Sequence, residues 1–243
     1  MIWNENCIIL SSSFFSEKSR MISFFNKTLG RSCGIYPNTK TPVQKGDISE
    51  INWRGRTGEH LGTIAIENLF SPFTYVFRNA LKIFAIDSVC SLCSIGLPIK
   101  APHEKLFNAL ESFLLNIVKD DWLTEYVFFE LTFLAEMGNG LDLSKCAVTG
   151  SNENLFYISP RTGRSVCRDV GEQYKDKLFL LPKFLIDDSI APTLEEICYA
   201  LQITEHFLKT YFCGISDGGE LPISRKNLAL ILGEEKNENQ RAC

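Results

Sequence analysis

The chain has 243 residues, 45% of them hydrophobic and 18 of them phenylalanine, enough to build a buried core in one large domain or two modest ones. Its net charge of −4 excludes a uniformly basic nucleic-acid coat and leaves only local basic faces. The start, Met1-Ile2-Trp3-Asn4-Glu5-Asn6, lacks the basic and apolar regions of a secretory signal. The most apolar stretch, Ile83 to Ile99, is cut by Asp87, Gly96 and Pro98 and is too short and broken to span a bilayer. Nine scattered cysteines in such a chain are expected to be reduced thiols of a cytoplasmic protein.

Up to about Pro72 the pattern is that of short strands. Cys7–Leu10 is an apolar run, and Met21–Phe25 is another, interrupted by Ser23. Asp47–Trp53 alternates, which places Ser49, Ile51 and Trp53 on one face. Leu61–Glu67 also alternates, with Ile64 and Ile66 opposite Thr63 and Ala65. Gly30, Gly34, Pro37, Gly46 and Gly58 are expected as turns between these runs. Short strands so closely spaced predict a small closed or nearly closed barrel of five strands, because closure removes exposed edges.

After Pro72 the period becomes helical. Ser71-Pro72 predicts a helix start, with the helix running toward Gly96. Pro102 opens a second helix in which Leu106, Leu110, Phe113, Leu114 and Ile117 share a face. Asp121 predicts the cap of a third, ending at Gly138 and dominated in charge by Glu125, Glu130 and Glu136. Thr193 and Glu196 have capping-box spacing for a fourth helix that stops at Gly214. The glycines from Gly214 to Gly219 predict a turn, Pro222 a short last helix to Gly233, and Glu234 to Cys243 a polar, frayed tail. Between the third and fourth helices, Leu155–Ser159 and Arg164–Arg168 read as two strands joined by a Pro160-Arg161-Thr162-Gly163 turn.

Charge follows this division. Residues 1–77 carry a net +2 and residues 145–183 a net +3, whereas residues 78–144 carry −4 and the remainder −5. The β segments are therefore positive and the helical parts acidic, as expected of a protein that meets phosphate through its β parts. In the barrel region Phe14, Phe15, Phe24, Phe25, Tyr36 and Trp53 interleave with Lys18, Arg20, Lys27, Arg31, Arg54 and Arg56. Most of these rings must fill the barrel, leaving one or two as stacking platforms for bases.

Catalytic signatures are missing. His60, His103 and His206 stand in no ligand spacing, and neither a phosphate-cradling GxxxxGK[ST] loop nor a GxSxG nucleophile turn occurs. Cys90 and Cys93 form a CxxC, but within an apolar helix, where core packing is expected. Cys146 and Cys167 flank the hairpin. The positions three residues on from each hold Thr149 and Val170, so the four-thiolate set of a structural zinc site is not completed and zinc is not expected.

Several segments form a series in order and spacing: Cys7-Ile8-Ile9-Leu10, Ser16-Glu17-Lys18-Ser19, Gly30-Arg31, Lys45-Gly46-Asp47, Trp53-Arg54-Gly55-Arg56, Glu59-His60-Leu61-Gly62-Thr63 and Glu67. The series continues through Phe129-Glu130-Leu131, Gly138, Leu141-Asp142-Leu143-Ser144-Lys145-Cys146, Tyr157-Ile158-Ser159-Pro160-Arg161-Thr162-Gly163-Arg164 and Leu181-Pro182. Together these segments resemble the RecO family of bacterial recombination mediators, loosely only from Gly214 onward, and the wording is closest to alphaproteobacterial members.

The resemblance implies an α+β architecture. An oligonucleotide-binding (OB) barrel at residues 1–75 is followed by a mainly helical domain at residues 76–243, with the hairpin insert at about residues 144–182. It implies a nonenzymatic mediator that binds single- and double-stranded DNA and anneals strands. The implied partners are RecR and the acidic C-terminal tail of single-strand binding protein (SSB), with RecA loading as the indirect outcome. Many members hold zinc on two CxxC pairs; here only the first cysteine of each pair is kept, so the insert is expected to fold without metal. A basic loop common in the family is reduced to Tyr36–Val43, with Lys40 its one lysine. Lys18, Arg20, Arg31, Arg54 and Arg56 are the expected phosphate contacts, with Arg161, Arg164 and Arg168 as a second set. A protein adaptor with weak or no DNA binding is the rival reading, motivated by the trimmed loop and the acidic helices.

Overall fold

The computed structural model describes residues 1–37, 42–56, 61–214 and 220–242, with side chains to residue 234 in the last segment. Gly58, His60, Lys40, Gly218 and Gly219 lie outside the described residues. The chain divides into two compact units, one of Met1–Trp122 with Pro222–Arg225, the other of Leu123–Leu221 with Lys226–Cys243.

In the first unit, β1 (Ile2–Ser16), β2 (Ser19–Asn26), β3 (Gly30–Tyr36), β4 (Ile48–Arg54) and β5 (Gly62–Phe70) close into a barrel in the order β1-β2-β3-β5-β4. All neighbours are antiparallel except β3 and β5, which meet in parallel at Gly34↔Gly62 and Ile35↔Thr63. Alternation turns Cys7, Ile9, Ile22, Phe24, Tyr36, Ile51, Trp53 and Ile64 inward as one core. Ile8 and Leu10, on the opposite face of β1, are also fully buried. This explains why Cys7–Leu10 reads as an unbroken apolar run.

Gly34 is not a turn. It lies inside β3, where a side chain would collide with Ile64. Gly30 and Gly46 do adopt left-handed backbone, with φ of 75° and 82°.

The helix expected from Ser71 is broken in two. A single turn, α1 (Phe73–Val76), is followed by α2 (Ala80–Gly96), because Asn79 is extended and its side chain accepts the Lys82 N–H at 3.0 Å. The Ser71 hydroxyl instead donates to Asp47 at 2.6 Å. α3 (Glu104–Asn116) buries Leu106, Leu110, Phe113 and Leu114 as its periodicity predicts, and Ile117 follows them into the core. Phe25 packs edge-on against Phe107 of α3, their ring centroids 5.5 Å apart.

α4 begins at Trp122 and runs to Glu136. In the second unit, α6 (Leu194–Cys213) starts with the Thr193/Glu196 capping box and ends at Gly214. Between them, β6 (Leu155–Ile158) pairs with β7 (Ser165–Cys167) around the expected turn, and α5 (Arg168–Gly171) follows directly. The sequence pattern misses β8 (Phe179–Leu180), which adds to the other side of β6 and makes a three-stranded sheet. The last helix, α7, spans Ile223–Ala242 and passes Gly233 rather than stopping there. Among the described residues, no helix is long and apolar enough to cross a membrane.

Candidate nucleic-acid interface

β1 is longer than its neighbours allow. It pairs with β4 only from Ile2 to Ile8, so past Ile9 it has β2 alone beside it. The end of the β1–β2 ribbon therefore has an open edge along β1, while β2 stays paired with β3 as far as Arg20↔Tyr36, and two phenylalanines on the ribbon stay in solvent: Phe14 is 79% exposed and Phe15 51%. Phe14 stands opposite Arg20 in the ladder, and the Arg20 guanidinium lies 4.6 Å from the ring centroid. Arg20 Nε also donates to the Ser12 hydroxyl at 2.7 Å, which fixes the guanidinium over the ring. Ser16 and Ser19 close the turn with a 2.6 Å hydroxyl contact, leaving Lys18 exposed at the tip. Arg20 shares its strand face with Ile22 and Phe24 of the barrel core and stands opposite Tyr36 on β3. A flat ring beside Arg20 and the exposed Lys18 suits a base with its phosphate.

The other barrel cations are not gathered onto this ribbon. Arg54 is exposed on the outer face of β4, opposite in alternation to Trp53, and Arg56 is exposed just beyond it. Arg31 faces the segment after α2. Its Nε donates to the Leu97 carbonyl at 2.9 Å, and its own carbonyl accepts the Lys100 N–H at 2.9 Å. Arg31 is thus committed to the fold of its unit.

In the insert, Arg161 is exposed in the β6–β7 turn. Arg164 is paired with Asp142 at 3.3 Å. Arg168 repeats the ribbon's motif in the second unit, its guanidinium 4.6 Å from the centroid of the half-buried Phe156. The sequence reading does not single out Phe156; the signal available was a ring on β6 beside a basic residue at the end of β7.

His206 and the helical cysteines have packing roles. His206 contacts the Pro160 carbonyl through Nε2 at 2.9 Å and packs edge-on against Phe179 and Phe207. Cys90 and Cys93 are fully buried in α2, and burial pushes both thiols up, Cys90 to about 12. In the third helix, Glu130 is fully buried rather than a surface charge, held by the hydroxyls of Tyr126 at 2.8 Å and Thr204 at 2.5 Å.

Cys146 and Cys167 do come together: the Cys167 N–H donates to Cys146 Sγ at 3.2 Å, and the Thr149 hydroxyl lies 3.4 Å from Cys167 Sγ. Two thiols and a threonine do not make the four-ligand set of a closed zinc site. Among the described residues, no cluster of three or more His, Cys, Asp or Glu is placed to hold a metal. The first unit also holds a largely apolar cavity of about 520 Å³ beside Trp3, Trp53, Leu29 and Ile99, with the Trp3 and Trp53 rings stacked at 5.9 Å.

The strand order and the parallel β3–β5 closure define an OB-type barrel, here joined to a helical unit with a small β insert. The model of the family "Recombination protein O C terminal" matches residues 78–230. DNA repair protein RecO of Rickettsia canadensis (strain McKiel) is 35% identical over 208 residues, covering 84% of this chain and 86% of its own. The proteins of the same name from Rickettsia conorii (strain ATCC VR-613 / Malish 7) and Rickettsia bellii (strain OSU 85-389) are also 35% identical over 208 residues, covering 88% and 86% of their own lengths. The chain belongs to the RecO family of DNA repair and recombination proteins.

Proposed function

We propose that this chain is a recombination mediator that binds single- and double-stranded DNA, anneals complementary strands and, with RecR, promotes RecA loading onto SSB-coated DNA. The observation that carries this reading is the solvent-exposed Phe14 ring under the Arg20 guanidinium, at the open β1 edge of an OB-type barrel. Aromatic platforms beside cations bind single strands with little sequence preference, since every base has a stacking face. Lys18, Arg20, Arg54 and Arg56 supply the phosphate contacts, and Arg161 and Arg168 a second set. The helical unit receives partner proteins, including the acidic tail of SSB. The insert folds without zinc, no covalent chemistry is performed on the DNA, and the protein works in the cytoplasm at the nucleoid.

Anisotropy of a labelled single strand, titrated with salt, tests the DNA reading, and mixing complementary strands tests annealing. Binding that weakens steeply with salt is expected. No binding at low salt, or a flat salt dependence, would sink it and leave the alternative: an adaptor of the same pathway, favoured by the commitment of Arg31 to Leu97 and of Arg164 to Asp142.

A further inference from the structure

Cys146 and Cys167 stand 21 positions apart in the chain, yet the backbone N–H of one touches the sulfur of the other at 3.2 Å. The Thr149 hydroxyl lies 3.4 Å from the Cys167 sulfur. Cys167 Sγ donates to the Glu153 carbonyl at 3.4 Å. Both residues are buried, but the cover over Cys146 is thin: Ala147 to Gly150 are exposed, with Val148 at 69%. The loop is held by Cys146 N–H to the Ser151 carbonyl at 2.7 Å, Ala147 N–H to the Ser165 carbonyl at 2.8 Å and Gly150 N–H to the Cys146 carbonyl at 2.9 Å.

We propose that Cys146 and Cys167 form an oxidisable dithiol, a site that a hydroperoxide converts into an intramolecular disulfide. The Cys146 thiolate attacks the outer oxygen of the hydroperoxide. The O–O bond breaks, an alcohol leaves after taking one proton, and Cys146 becomes a sulfenic acid. The Cys167 thiol then gives up its proton and attacks the Cys146 sulfur. The S–S bond forms, the S–O bond breaks, and the oxygen leaves as water. Two thiols and one hydroperoxide thus yield one disulfide, one alcohol and one water. The Cys167 N–H on its sulfur favours the anionic form at Cys146 and sets it apart from the thiols of α2 and β1. Burial raises the thiol of Cys146, but the hydrogen bonds from the Thr149 side chain and from the backbone of Thr149, Cys167 and Val148 outweigh it and hold the group at about 6. Cys7, Cys90 and Cys93 are buried without such a cluster and are pushed up.

The test uses the full chain, reduced and freed of reductant, titrated with hydrogen peroxide, quenched with N-ethylmaleimide and mapped by mass spectrometry. A Cys146–Cys167 cross-linked peptide, two hydrogens lighter than its reduced parts, is expected before Cys90 or Cys93 is modified. In C167S, a Cys146 sulfenic acid trapped by dimedone is expected. Recovery of both residues as alkylated thiols after Cys33 and Cys213 have been oxidised would overturn the proposal. So would one zinc per chain in the purified protein, since the thiolates would then be metal ligands. The wild-type mapping needs no variant to fold.

Discussion

At the scale of single residues, exposure separates binding groups from structural ones. Phe14 spends an aromatic ring in water, which costs stability unless something uses it. F14A should therefore leave the thermal midpoint nearly unchanged while weakening single-strand binding by about 1–3 kcal/mol, the usual worth of one stacked base. An unchanged affinity in anisotropy would remove Phe14 from the interface. Cys146 carries a pH signature of its own. Its folded thiol sits at about 6, against an ordinary value of 9.0, with burial outweighed by the hydrogen bonds from Thr149 and the neighbouring amides. A group depressed by folding adds stability that is fully present above the unfolded value and is lost as pH falls through the folded one. The Tm difference between wild type and C146S should accordingly grow from pH 6 to pH 9. Alkylation of Cys146 by iodoacetamide should reach half its maximal rate near pH 6. A midpoint near 9 would show that the donors do not act on the sulfur.

At the scale of elements, local signals proved readable and contacts between distant segments did not. The Thr193/Glu196 box is written in four consecutive positions and forms as spaced, with Thr193 Oγ1 accepting the Glu196 N–H at 3.2 Å. T193A should cost about 1 kcal/mol by chemical denaturation, and T193S should restore most of it. Gly30 was legible as a turn, but its neighbour was not: a β-carbon there would lie 2.0 Å from the Ala101 carbonyl, on backbone already at φ 75°. Strain and collision add, so G30A should destabilise by roughly 2–5 kcal/mol, and a loss under 1 kcal/mol would mean that the segment at Ala101 moves aside. β8 escaped because two residues cannot show a period; pairing with β6 creates it. The polar end of β1 escaped for the opposite reason. Ser11, Ser12 and Ser13 lack the apolar alternation of a strand, and only the β2 partner holds them extended. That hidden ribbon carries Phe14. The rings of the candidate site were thus visible in the sequence, but which of them faced solvent was not.

At the scale of the whole molecule, a net charge of −4 limits how DNA can be held. The acidic helical stretches repel phosphate at long range, so affinity must come from a few local cations and depend strongly on salt. Among the described residues of the barrel, the candidates are Lys18, Arg20, Arg54 and Arg56, of which Lys18, Arg54 and Arg56 are exposed, while Lys27 pairs with Glu104 at 2.8 Å. Arg31, expected from the sequence to join them, directs its Nε to the Leu97 carbonyl instead. Each phosphate neutralised on a single strand contributes about −0.7 to the slope of log affinity against log salt. Contacts from the barrel alone therefore predict a slope of about −3, much shallower than that of a protein with a basic surface. R54A and R56A should each flatten it by about 0.7. R31A should lower Tm through the lost bond to Leu97 yet leave the slope where it was. If R31A flattens the slope and R54A and R56A do not, the interface runs along the start of β3 instead of the ribbon and the end of β4. A slope much steeper than −3 in the unmodified chain would require the insert cations Arg161 and Arg168 on the same strand.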